Sequence, residues 1–556
     1  MSKGLPEPAI QHLRWERDRH VAFAFAAADL LVEVAMDGAI IAVSGAAHAL
    51  LDAAPEALVG SPVVDVVAAN DRPLVRQLLK QIGVRQRIDP VMINIARRGG
   101  TSNRVLLGGC RLPGHSDHLF LALVLLPNGT FAPSEPRDSA TGLLSRDGLD
   151  VAVQHLAGDA RSNGRSLQLV RLEGLTGATR QLSADKARIL MEEIGAALRA
   201  ASAGGDAAGR LEQDVFGLIA PAGDQPRNEA ALGAELALAI RGAGIPDGRV
   251  QTSMAHVDLS LGTMTGSEIG RVLSYAMNSF VRSHDADIDR GTLQSNLKTA
   301  VNKAAARFAD TRKMLAEERF ALVYQPVVDL KDRTIHHYEA LSRFPGGANT
   351  FDTVTFSEDI GLILELDLVV CRRAIQAILH GSDASVAANI SGRSVQNEAF
   401  RASLLELTAR LGDLRPRLLF ELTESTVIDD RTDAEEFLAQ LRSLGHAICL
   451  DDFGAGATAY NYLRRFDADF IKIDGAFLKA AAEHSRERAL IRSICVLSDD
   501  IGCKVIGEMI EDETAATFAR QLGIAHGQGW LFGKPIEQLP SPPRPVRRKG
   551  YTETWE

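Results

Sequence analysis

The chain has 556 residues, 46% of them apolar and 24% charged, and a formal net charge of −10. That length suits roughly three or four domains of ordinary composition. The acidic balance argues against a general polyanion-binding surface, with room left for local basic pockets.

Cys110, Cys371, Cys449, Cys495 and Cys503 fall without CxxC or finger-like spacing. Such spacing fits buried thiols in a reducing compartment, not a disulfide framework or a zinc site. The greasiest early stretch, "VAFAFAAADLLVEVAMDGAIIAV", is interrupted by Asp29, Glu33 and Asp37 and is unsuited to spanning a bilayer. A cytoplasmic protein is expected, with no membrane segment and no DNA or RNA partner.

Residues 20–127 alternate β-like runs ("LLVEVAMDGAIIAVS", "DPVMINIARR", "NRVLLGGCRL", "HLFLALVLLP") with helical stretches ("GAAHALLDA", "DRPLVRQLLKQI"). Asp37-Gly38 predicts a hairpin turn. This order resembles an α+β PAS sensor domain. It shows no flavin-attaching cysteine motif, and His48, His115 and His118 read as surface or packing residues.

The Pro-rich "LPNGTFAPSEPRDS" predicts a linker before an α/β segment over 137–288. "DSATGLLSRDGL", with Asp138, Thr141, Gly142, Leu143 and Arg146, resembles the opening of a GGDEF (nucleotidyl-cyclase-like) domain. Its functional positions have drifted. Arg171 stands where that family has a metal-binding aspartate, and Glu212-Gln213-Asp214-Val215-Phe216 replaces the signature. Two glycines that would let backbone approach a triphosphate are gone. The resemblance therefore implies a degenerate domain that makes no cyclic di-GMP, with Arg171 expected to pair with Asp214. Residues 291–317, rich in helix formers and free of proline, predict a connecting helix.

From 318 to 540 the strand candidates are "FALVYQPVV", "TIHHYEALSRF", "ASVAANIS", "RLLFELTES", "AICLDDF", "DFIKIDG", "KVIGEMIE" and the stretch around "HGQGWLFGKP", with helical runs between most of them. This alternation predicts a (β/α)8, TIM-like barrel, whose function gathers at the carboxyl ends of its strands. Glu339, Asn389, Glu421, Asp451, Asp452, Lys472 and Glu508 each end or interrupt a greasy run. Clustered buried carboxylates repel one another unless a cation joins them. Convergence on one mouth therefore points to cation chemistry.

These same runs resemble the EAL domain, the cyclic di-GMP phosphodiesterases. "YEALSRF", "VYQPVVDL", "ANIS", "FELTES", "DDFGAG", "FIKID", "GEMIE" and "GQGWLFGKP" match its motifs in order. The resemblance implies two divalent cations, Mg²⁺ or Mn²⁺, since all-oxygen ligands favour them. Glu339, Asn389, Glu421 and Asp451 would hold one, and Asp451 with Asp452 the second. Glu508 would ligate the second ion or take the proton of the attacking water, and Lys472 would hold that water or neutralise the phosphate. Gln325 and Arg343 would contact substrate, Gln528 would help fix the site, and Glu424 and Glu511 would anchor the loop after Asp452.

That loop departs from the family's GTGYSS, reading Gly454-Ala455-Gly456-Ala457-Thr458-Ala459, and Met509 stands where a glycine is common. Residues 541–556 predict a flexible tail. The expected function is hydrolysis of cyclic di-GMP to linear pGpG by a homodimer, regulated by the two preceding domains. The alternative is a catalytically silent cyclic di-GMP receptor acting through protein contacts.

Overall fold

A computed structural model describes residues 26–540, together with Trp15, Arg19, Ala22 and Ala24, apart from 86, 97–101, 113–116, 127–136, 159–164, 222–224, 259–263, 283–289, 381–382, 424–431 and 454–464. Two compact units divide the chain, Met1–Ala306 and Arg307–Glu556.

The first unit holds two sheets. Strands β1 (Leu30–Ala35), β2 (Ile40–Gly45), β3 (Arg87–Ala96), β4 (Ser102–Cys110) and β5 (His118–Leu125) form an antiparallel sheet in the order β2-β1-β5-β4-β3. β1 and β5 alternate between buried and half-exposed positions along most of their length. That period of two marks a sheet with one covered face. The predicted turn at Asp37-Gly38 joins β1 to β2, with Gly38 at φ 93°. β3 bulges against β4 between Ile88 and Val91. Pro90 lies there, lacking the N–H that a regular ladder would use.

The second sheet is ordered β7-β8-β6-β9, from β6 (Ser166–Glu173), β7 (Ala208–Arg210), β8 (Val215–Ala220) and β9 (Gln251–Asp258). Its inner strand β8, "VFGLIA", is buried at every position. Arg171 and Asp214 do not form the expected ion pair. Asp214 sits at the turn into β8, and its carboxylate accepts from the Thr176 backbone N–H at 3.0 Å and from the Thr176 hydroxyl. Arg171 lies within β6, opposite Val215 and Ser253. A long helix spans Arg290–Ala316.

The second unit is a closed barrel of β10 (Ala321–Asp329), β11 (Ile335–Arg343), β12 (Val386–Ser391), β13 (Leu418–Thr423), β14 (Ile448–Phe453), β15 (Phe470–Ile473), β16 (Lys504–Gly507) and β17 (His526–Gln528), neighbours in chain order. One strand departs from the expected (β/α)8 pattern. β10 runs antiparallel to both β11 and β17, while all other neighbours are parallel. Only Leu330–Thr334 separate β10 from β11, too few residues for the crossover that a parallel pair needs. Asp329 closes that turn. Its N–H donates to Thr334 O at 2.9 Å, and its carboxylate accepts from Lys331 N–H at 2.7 Å.

Val327, Ala387, Leu419, Cys449, Phe470 and Ile506, one from each of six strands, form an apolar cluster. This layer is the floor on which the site stands.

Candidate active site

Side chains two residues apart on a strand share a face. Two positions from the apolar cluster stand Gln325, Asn389, Glu421, Asp451 and Lys472 on their strands and Glu508 just past the end of β16. β11 and β17 repeat the step, with Glu339 two residues after His337 and Gln528 two residues after His526. Every strand thus supplies one polar residue to the layer above the floor. Gln325 obeys the rule in reverse because β10 runs the other way.

Lys472 sits at the centre, 1% exposed. Its Nζ lies 2.8 Å from Glu508, 3.1 Å from Glu339, 3.3 Å from Glu421 and 3.7 Å from Asp451. A buried ammonium is costly by itself, and four facing carboxylates reverse that cost. Although burial disfavours its charge, Asp451, Glu339, Glu421 and Glu508 hold the Lys472 pKa well above its usual value.

The carboxylates differ. Burial opposes ionisation of Glu339, but Lys472 and hydrogen bonds from Gln528 and Asn389 outweigh it and bring its pKa down to about 2. Gln528 Nε2 donates at 2.6 Å and Asn389 Nδ2 at 3.0 Å. Burial lifts Glu421 well above the usual carboxylate range, with Lys472 opposing and the other acids adding to the rise. Burial likewise lifts Glu508 to about 7.

Asn389 Oδ1 and Glu421 Oε1 are buried and have no hydrogen-bond partner among the described residues. Orphaned oxygens beside an acid cluster fit the donor set of a hard cation. Among the described residues no three His, Cys, Asp or Glu side chains are drawn together closely enough to enclose an ion. The four carboxylates instead surround Lys472 Nζ.

Of the other expected residues, Gln325 lies beside Gln528, with Gln528 Nε2 at 3.4 Å from its Oε1. Arg343 ends β11, its Nη1 donating to Ser342 O at 2.9 Å. Glu511 is exposed on the loop after β16. Asp452 belongs to β14, but its side chain lies outside the described residues, as do Glu424 and the loop Gly454–Ala459. His337 was not singled out from the sequence. Its Nε2 is buried, 3.9 Å from Glu421 Oε1, and burial pushes its pKa well below the usual value. Its position two residues before Glu339 on one strand was the available signal.

Residues 309–535 match the family described as the EAL domain. The chain is 27% identical over 536 residues to an uncharacterized signaling protein of Caulobacter vibrioides, covering 91% of this chain and 65% of that one. It is 26% identical over 427 residues to the cyclic di-GMP phosphodiesterase PdeB of Shewanella oneidensis, covering 72% of this chain and 48% of that one. A solved structure of the PaMucR phosphodiesterase in complex with c-di-GMP is 29% identical, with TM-score 0.38, over 42% of this chain and 97% of that chain. Every strand of the barrel thus contributes to one polar layer, and the match to the EAL domain spans that barrel, with similar proteins that include some named cyclic di-GMP phosphodiesterases.

Proposed function

We propose that the barrel hydrolyses one phosphodiester bond of cyclic di-GMP to give linear pGpG. The observation that carries this reading is the polar layer itself, with four carboxylates gathered around one buried ammonium. Glu339, Asn389, Glu421 and Asp451 would hold one Mg²⁺ or Mn²⁺, and Asp451 with Asp452 a second, with Glu508 either a further ligand of that second ion or the acceptor of the water's proton. Bound divalent cations supply a polarised phosphodiester and a water of lowered pKa.

The chain's own residues do the rest. As the acceptor, Glu508, whose carboxylate lies 2.8 Å from Lys472 Nζ in the same polar layer, takes the proton of the attacking water. The water oxygen bonds to phosphorus, the bond to the ribose oxygen breaks, and that oxygen takes a proton from solvent and leaves as a hydroxyl. Lys472 offsets negative charge on the phosphate. Gln528 fixes the Glu339 carboxylate through its 2.6 Å hydrogen bond. Gln325 and Arg343 orient the dinucleotide, while Glu424 and Glu511 anchor the loop after Asp452.

We assign regulation to the preceding segments, read as a PAS-like domain over 20–127 and a degenerate GGDEF-like domain over 137–288, in a homodimer. The five-stranded antiparallel sheet supports the first reading, and Arg171 in β6 supports loss of cyclase chemistry in the second. Among the described residues no helix is long and apolar enough to cross a membrane.

The test is turnover of cyclic di-GMP by the full chain with Mg²⁺ or Mn²⁺, followed by chromatography of products. Metal-dependent pGpG, reduced at least about 100-fold in Glu339→Ala, is the expected result. Tight binding without turnover in either metal would replace the enzyme with a receptor.

A further inference from the structure

A second concave site lies within the first unit, with a volume of about 1110 Å³. One wall comes from the first sheet and the helix Arg72–Arg85. The other comes from the loop Arg137–Gly142, the helix Ala184–Ala201 and Asp206. Arg72, Arg76, Arg104, Arg137, Arg188 and Arg199 line it, against four carboxylates. In a chain of net charge −10, so many guanidinium groups around one cavity are a local reversal of sign.

The four carboxylates are already engaged. Asp71 accepts from Arg199 at 2.8 Å, both side chains buried, and from the Asn94 backbone and side-chain amides. Asp206 meets Arg137 at 2.6 Å, Arg199 at 3.5 Å and Arg104 at 4.0 Å. Glu192 is held by Arg188 at 2.7 Å. Asp138 is matched at 3.3 Å by Arg210, which does not line the cavity, and so neutralises none of its six arginines. Among the described residues Arg72 and Arg76 have no carboxylate partner. Arg72 gives its Nε–H to Val67 O at 3.1 Å.

The floor is built in advance. Arg199 is fixed by Asp71 on one side and by Gly205 O, at 3.0 Å from its Nε, on the other. A guanidinium whose orientation is already determined loses little freedom on binding. Planar forks of this kind match the oxygens of phosphoryl groups, which carry up to two charges near neutral pH. The volume is at the upper end of small-molecule sites. We propose that this cavity binds a small molecule bearing a phosphoryl group.

The test titrates pyrophosphate calorimetrically into the full chain, free of divalent metal and at fixed ionic strength. Binding is expected in the wild type and weakened about tenfold or more in Arg76→Ala and in Arg188→Ala. Both side chains are exposed, so the fold should survive, and thermal melting checks this. Arg76→Lys should recover part of the loss. The proposal fails if millimolar pyrophosphate gives no heat, or if both alanine variants bind as the wild type does. It also fails if binding disappears in a folded Lys472→Met, because the anion would then sit on the barrel's ammonium. Citrate binding more tightly than pyrophosphate would overturn the phosphoryl assignment.

Discussion

Lys472 is the residue on which the barrel's polar layer balances. Its side chain is 1% exposed and faces Glu339, Glu421, Asp451 and Glu508. Lys472→Met removes the only ammonium in that group and leaves four carboxylates facing one another. Breaking such a buried pair costs about 3–5 kcal/mol. The metal-free variant should therefore melt at a clearly lower temperature, and Mg²⁺ should recover part of the loss. An unchanged melting temperature would show that the carboxylates take up protons at no cost.

A second residue makes stability depend on pH. Burial raises the Asp367 pKa from 3.8 to about 7, against hydrogen bonds from Ser391 and Ser394. The folded protein keeps a proton there that the unfolded chain releases. Its contribution is fully present below about pH 4 and is lost as pH rises to about 7. Asp367→Asn retains an acceptor for both serines without the charge. That variant should match the wild type at pH 4 and exceed it in melting temperature at pH 8. Parallel pH profiles for the two proteins would contradict this account.

At the scale of elements, the loop after β16 meets the start of the helix Gly475–Glu483. Met509 follows Glu508 directly, with φ 53° and 65% exposure. A Cβ on Gly475 would lie 2.4 Å from Met509 Cβ. Left-handed backbone costs a non-glycine residue about 1–2 kcal/mol, and an exposed methionine regains little by burial. Met509→Gly should thus stabilise by about 1 kcal/mol. Gly475→Ala should destabilise alone and be tolerated in the Met509→Gly background. Additive effects in that double-mutant cycle would show that the two sites do not interact.

The site's design was partly legible at this scale. "AANIS", "LFELT" and "FIKI" each show a polar residue two positions beyond an apolar one, which is enough to place both on one face. His337 and His526 obey the same spacing from Glu339 and Gln528. Their role in the barrel wall was not apparent, because "HHYE" and "HGQ" show no contrast between greasy and polar positions. Reversal of β10 was legible only as the short "LKDRT" connection. The expected pairing of Arg171 with Asp214 was wrong because Asp214 is captured locally by Thr176.

For the whole molecule, the closed barrel and every described residue of its polar layer lie inside the unit Arg307–Glu556. A fragment of residues 307–556 should fold cooperatively and, under the proposed function, show metal-dependent turnover. If the first unit regulates it, the fragment's rate should differ several-fold from that of the full chain. A fragment that aggregates without a melting transition would show that the barrel depends on the first unit. The sequence by itself determined the barrel's strands and the polar residue that each would carry. Those features follow from local periodicity and from motifs that occupy consecutive residues. Only the tertiary structure decided that four acids from four strands share one ammonium, or that arginines from separate elements line one cavity. Such arrangements depend on barrel closure and on packing between residues up to about 130 positions apart, as in Asp71 and Arg199, where no local pattern records the partner.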